Sequence, residues 1–271
     1  MSLSINYHRE GEGPPLVLLH GVGHHWQGWQ PVIDRLAGEF DVIACDCPGF
    51  GRSSPLSPGI DPTVPAYADA FEWFLTELGL ERPHVAGNSM GGAIALELAR
   101  GRAVRSVSAF APIGFWTAPE RRYCQLYFTL FLKMPAGSRP AVEALTRTRI
   151  GRRLLYRALF AFPERMPAQE AIDMLHDAWA APAFEPALDA FSRYRFAGGE
   201  QLRSTPVTIA WGKRDWILPY YLQARRARAQ LPWATHVTLG VGHTPFFDDP
   251  GVVAAVIRNR ARSAELAPAA R

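Results

Sequence analysis

The residues 87–92, Gly87-Asn88-Ser89-Met90-Gly91-Gly92, carry the clearest chemical signal in the chain. They join a short apolar run at 84–87 to a helical pattern at 90–99, so Ser89 sits on a strand-to-helix turn. Side chains two residues either side of it would collide there, and Gly87 and Gly91 remove the collision. A serine hydroxyl is a weak nucleophile that needs a base within hydrogen-bond reach and a third group to hold that base. Of the eight histidines, His243 in Gly240-Val241-Gly242-His243-Thr244-Pro245 follows the last apolar run and is the candidate base. Asp215, just past the run at 207–211, is the candidate orienting acid. Asp248 and Asp249 read as helix-start carboxylates. A developing oxyanion needs two fixed donors: the Met90 N–H at a helix start, and the Val22 N–H in the turn His20-Gly21-Val22-Gly23. Gly21, His24, His25, Asn88 and Trp116 are candidate substrate-binding residues.

These groups need elements to hold them. Leu16-Val17-Leu18-Leu19 is an apolar run between Pro14-Pro15 and His20-Gly21, which reads as a strand buried on both faces. Residues 41–44, 84–87, 104–110, 207–211 and 236–239 repeat the pattern. Helical stretches at 29–37, 66–78, 90–99, 220–230 and 252–262 lie between them, and such alternation means a parallel sheet covered on both sides. The interval 115–197 breaks it, with five short helices expected at 120–133, 141–148, 150–160, 169–180 and 184–195. An all-helical insertion there reads as a lid over the sheet edge where α/β proteins bind ligands. In its third helix Arg149, Arg152, Arg153 and Arg157 fall on one side and Ile150, Leu154, Leu155, Ala158 and Leu159 on the other. Residues 263–271 read as a frayed tail.

Composition narrows the partners. With 48% apolar and 20% charged residues, the 271-residue chain is an ordinary globular protein, neither disordered nor fibrous. The net charge of +4 comes almost wholly from scattered arginine, without a basic block or nucleic-acid-binding signature, so nucleic acid is not expected. The insertion holds twelve Lys/Arg against eight Asp/Glu, enough to account for that charge. A solvated face is the plain account of its basic side; attraction to an anionic substrate or lipid surface is the other. Cys45, Cys47 and Cys124 lack metal spacing and read as reduced thiols. Without a signal-like apolar region near the start or a run of roughly 20 apolar residues, a cytoplasmic location and no membrane span are expected.

The Ser…Asp…His order, the His20-Gly21 turn, the segment Asp46-Cys47-Pro48-Gly49-Phe50-Gly51-Arg52-Ser53 and the elbow at Ser89 together resemble the α/β-hydrolase family across residues 4–114 and 198–262. The resemblance implies an α/β-hydrolase fold: a mostly parallel, eight-stranded sheet with helices on both faces and an inserted helical cap. The core would be 1–114 and 198–271, and the cap 115–197. It also implies no cofactor and a covalent acyl-enzyme; with the cysteine spacing above, no metal is expected. Ser89 in place of an aspartate points away from the haloalkane dehalogenase and epoxide hydrolase branches. The elbow string is similar to that of meta-cleavage-product hydrolases, which cut carbon–carbon bonds. Those carry Trp where this chain has Thr244, and a cap arginine that residues 169–180 lack. The expected substrate is a small carboxylic ester, lactone or thioester with a sizeable apolar part; C–C cleavage and a ligand receptor with slow hydrolysis are the alternatives.

Overall fold

Leu16, Val17, Leu18 and Leu19 are fully buried, with Leu16 and Leu18 in one apolar cluster and Val17 and Leu19 in another, because successive strand side chains leave opposite faces. Each contributes roughly 1.5–3 kcal/mol by leaving water. In the computed structural model, which describes residues 3–266, they belong to strand β2 (Pro15–Leu19). The other strands are β1 (Tyr7–Glu10), β3 (Asp41–Cys45), β4 (His84–Asn88), β5 (Ser106–Phe110), β6 (Val207–Gly212) and β7 (Thr235–Leu239). The order is β1-β3-β2-β4-β5-β6-β7, parallel throughout except for β1 against β3. The chain steps from β2 to β3 on one side and returns to β4 on the other. The crevice between the carboxyl ends of β2 and β4 is therefore a topological switch point.

Helices cover both faces. Helices α1 (Gln30–Leu36) and α10 (Pro250–Leu266) pack together on one. On the other lie α2 (Val64–Glu77), α3 (Met90–Arg100) and, further along the chain, α9 (Tyr220–Gln230). The α2 helix buries Val64, Tyr67, Ala68, Phe71, Phe74 and Leu75, a 3.6-residue stripe. It starts earlier than the apolar pattern because Thr63 caps the Ala66 N–H at 3.3 Å and Pro65 suits the first turn.

Between β5 and β6 stand α4 (Ala118–Leu132), α5 (Arg139–Thr146), α6 (Arg149–Leu155), α7 (Ala168–Ala180) and α8 (Phe184–Ala190). Thr117 and Glu120 form a reciprocal capping box at the start of α4. The apolar cluster of the sheet continues into this insertion through Phe115, Phe128, Phe184 and Phe191.

Four expectations need correction. The described sheet has seven strands, not eight: residues 3–6 are not a strand, and Ser4 and Asn6 exchange backbone and side-chain bonds with Asp46, Ser53 and Ser54 of the loop after β3. Strand β1 escaped the apolar reading because Tyr7-His8-Arg9-Glu10 is a charged edge strand, clamped to β3 by the Arg9–Asp41 fork at 2.8 and 2.7 Å. Helix α6 ends at Leu155 instead of Phe160, and three side chains lie on the other side from the one expected: Ile150 and Leu154 are 73% and 70% exposed and Arg152 is buried, while Arg149, Arg153 and Arg157 are exposed as expected. The Arg152 Nη1 donates to the Thr146 and Arg147 carbonyls at 3.0 Å, closing the end of α5, while Leu155, Tyr156, Leu159 and Phe160 supply the inward apolar side. Finally, Ser263–Leu266 continue α10, with Asp249 capping the Val252 N–H at 3.0 Å; residues 267–271 lie outside the described residues.

Candidate active site

Ser89 adopts φ 57°, ψ −114°, a strained backbone for a residue with a side chain. The Phe110 carbonyl of β5 holds its N–H at 2.9 Å, and its own carbonyl accepts from Ile113 N–H at 3.2 Å. A Cβ on Gly87 would overlap the Gly91 backbone, and one on Gly91 would overlap the Leu19 carbonyl, so both sides of the elbow require glycine. Across the switch point, a Cβ on Gly21 would lie 3.2 Å from that of Ser89. The turn after β2 and the elbow after β4 thus meet at one spot.

The neighbouring strands bring the other two groups there. Asp215, after β6, accepts at Oδ1 from the Ile217 and Leu218 N–H groups at 2.9 and 2.7 Å. Its Oδ2 pairs with His243 Nδ1 at 2.8 Å, with both side chains buried. The Asn88 amide donates to the His243 carbonyl at 2.9 Å and to the Phe110 carbonyl at 3.1 Å, so it braces the loop bearing His243 against the elbow. Ser89 and His243 border one cavity; among the described residues no hydrogen bond joins them. Such bonds are commonly loose in unliganded sites and tighten around substrate.

The cavity encloses about 830 Å³, part of it open to solvent. Its floor carries the polar groups His24, Asn88, Ser89, His243 and Thr244 together with the Gly21-Val22-Gly23 turn. Its walls come from the insertion and are apolar, with Phe128, Phe131, Met134, Leu155, Leu159, Met174, Ala178 and Phe184 among them. Val22 borders it directly. Met90 opens α3, so its N–H belongs to a helix's first turn, which has no partner inside the helix, while its side chain is buried in the core.

Two candidate residues lie elsewhere. Trp116 is buried away from the lining, its Nε1 donating to the Tyr194 carbonyl at 3.0 Å and its ring packed on Phe191. His25 contacts Gln27 at 2.7 Å and Asp177 of α7 at 3.3 Å, joining the turn to the insertion instead of facing the cavity. Burial raises the carboxyl of Glu170, which stands 3.9 Å from the same ring. His24 does border the cavity; burial keeps its ring neutral, and its Nδ1 accepts from the His25 N–H at 2.9 Å.

Two supports were invisible to spacing. His20 donates from Nδ1 to the Gly21 carbonyl at 2.7 Å and accepts at Nε2 from the Cys47 N–H at 2.8 Å, which shapes the turn bearing Val22. Burial pushes its imidazole down to about 4. Asp248 is no helix-start carboxylate: it accepts from the Gly242, Ala161 and Phe162 N–H groups at 2.8 Å each, stitching the His243 loop to the insertion. The signal for it was a second acid beside Asp249, which alone suffices as the cap.

A mostly parallel sheet thus holds a strained serine elbow at its switch point, near a buried imidazole–carboxylate pair. The sequence pattern described as the alpha/beta hydrolase fold matches residues 14–250, and the chain belongs to that family. It is similar to the dihydrolipoyllysine-residue acetyltransferase component of the acetoin cleaving system of Cupriavidus necator, with 31% identity over 254 residues, 89% of this chain. The match covers 62% of that protein, so the chain spans under two thirds of its length. It is also similar to epoxide hydrolase EphH of Mycobacterium tuberculosis, 31% identical over 200 residues, 70% of this chain and 91% of that one. Among solved structures, a membrane phospholipase A described as a bacterial virulence factor superposes with a TM-score of 0.77 at 26% identity, covering 98% of this chain and 84% of the other. No described helix is long and apolar enough to cross a membrane.

Proposed function

We propose that the protein hydrolyses a carboxylic ester, or the related lactone or thioester, whose acyl or alkyl part is sizeable and apolar. The observation that carries this reading is the two-sided cavity: Ser89 and His243 on its floor, with Asp215 bonded behind His243, and a wall of hydrocarbon and aromatic side chains above. Apolar surface entering such a wall gains roughly 25 cal/mol per Å². The insertion, residues 115–197, acts as the cap that provides it.

In the proposed reaction His243 Nε2 takes the Ser89 proton as Oγ attacks the carbonyl carbon, and Asp215 stabilises the imidazolium. The Val22 and Met90 N–H groups hold the oxyanion. The tetrahedral intermediate collapses, the leaving alcohol takes the proton from His243, and water then repeats the sequence to free the acid. Ser89 supports ester attack over epoxide opening, which uses a carboxylate nucleophile, and the similarity to a phospholipase A agrees with an acyl substrate. Cleavage of a dienoate diketone would call for a cation in the pocket, and the described lining includes neither Arg nor Lys.

The test is a panel of p-nitrophenyl esters of graded acyl length, plus one meta-cleavage diketone, with wild type and Ser89→Ala. Expected are kcat/KM values that rise with chain length, and a loss of several orders of magnitude in kcat on replacing Ser89. Preference for acetyl esters contradicts the substrate class. Near-normal turnover by the variant contradicts the nucleophile, and a wild-type kcat far below about 1 s⁻¹ with retained ligand favours a receptor.

A further inference from the structure

We propose that the outer face of the cap beside the cavity docks on an anionic lipid bilayer. Of the thirteen large apolar side chains exposed among the described residues, six belong to the insertion, which is under a third of the chain. They are ordered. On α4, Tyr123, Leu126 and Leu130 follow i, i+3, i+7 spacing and form one stripe. On α6, Ile150 and Leu154 are one turn apart, and Leu145 of the adjoining α5 is exposed as well. The next residue after Leu130 and after Leu154, Phe131 and Leu155, lines the cavity, so both exposed faces belong to helices that wall it.

The charge beside the α6 pair selects the partner. Residues 144–163 contain five arginines and no acid. Arg149 and Arg153, each directly before an exposed apolar residue, are exposed and form no salt bridge among the described residues. Arg147 is paired with Glu143, and Arg152 is turned inward. Unpaired guanidinium groups beside outward Ile and Leu suit a surface with anionic headgroups over hydrocarbon: the arginine stems lie along the apolar layer while the charges reach the headgroups. Exposed Trp216, whose carbonyl accepts from the Tyr123 hydroxyl at 2.9 Å, adds an aromatic of the kind enriched at such boundaries. A second copy packed by two-fold symmetry would set the same patch, with its unpaired cations, against itself. The proposal does not depend on which bond the site cleaves.

The experiment is co-flotation of the full chain with vesicles of phosphatidylcholine alone, or of phosphatidylcholine mixed with phosphatidylglycerol, over a salt series. The variants are Ile150→Ser with Leu154→Ser, and Arg149→Ser with Arg153→Ser, with circular dichroism as the folding control. Wild type should float with the anionic vesicles only, and less as salt rises past about 0.1 M. The arginine pair should weaken binding roughly 30-fold, each basic residue near an anionic surface being worth about a factor of five. The apolar pair should weaken it roughly tenfold or more. Equal binding to both vesicle types, no binding to the anionic ones, or binding unchanged in both variants overturns the proposal. So does a wild-type dimer that the apolar variant converts to monomer.

Discussion

Asp248 bonds three backbone N–H groups from two distant parts of the chain, and one of them adjoins the proposed base His243. Replacing it by Ala strands three buried donors, each costing on the order of 1–3 kcal/mol when left without a partner. Asp248→Ala should therefore destabilise the fold by about 3 kcal/mol or more in urea titrations and, if His243 is the base as proposed, lower kcat more than it raises KM, because the loop bearing His243 loosens. Asp248→Asn, which keeps an acceptor oxygen, should recover part of both. An unchanged kcat in Asp248→Ala would separate this carboxylate from His243. At this scale the sequence is legible wherever the rule is local. The glycine pattern around Ser89 is readable because the colliding atoms lie within a few residues. The partners of Asp248 at 161 and 162 are 87 and 86 residues away, so nothing in its neighbourhood announces them.

Helix α7 buries Ala171, Ile172, Met174, Leu175 and Ala178, and Ala178 borders the cavity beside Met174. Because the walls limit how much hydrocarbon fits above Ser89, Ala178→Phe should shift the preferred ester toward shorter acyl chains, with kcat/KM for long chains falling about tenfold or more and short chains changed little. A parallel loss across all lengths would mean that the substrate lies elsewhere. Period and turn residues gave the places of α7, α9 and the inner strands, since those elements are long or buried enough to declare themselves. On α6 the sequence pattern places Leu155 inward and Arg149 and Arg153 outward, as found, but misplaces Ile150, Arg152 and Leu154. A helix of seven residues leaves its side to its neighbours, and here Gly151 lets the backbone press against Leu145, so that Arg152 turns in and Ile150 out.

At the scale of the whole molecule, buried neutral imidazoles tie stability to pH. Burial lowers His20 from 6.5 to about 4 and also depresses His24, so the unfolded chain binds more protons than the folded one below pH 6.5. The stabilisation is complete above the unfolded value and is lost as pH falls toward the folded one, by about 3 kcal/mol for His20 alone. The raised carboxyls of Glu170 and Asp248 act with the opposite sign. A comparison of slopes isolates the histidine: in urea midpoints measured between pH 6.5 and 4, His20→Asn should show a shallower decline than wild type, whatever its absolute stability. Equal slopes would mean that His20 takes up its proton without unfolding the turn.

Turnover by an activated Ser89 is tested most directly with a p-nitrophenyl alkylphosphonate, whose tetrahedral phosphorus captures the attacking oxygen in a form that water does not release. Mass analysis of the inactivated protein should find one phosphonyl group, on the peptide carrying Ser89, together with loss of esterase activity, and should find none after Ser89→Ala. Continued ester hydrolysis by unlabelled protein, or a label on any other residue, would contradict the account.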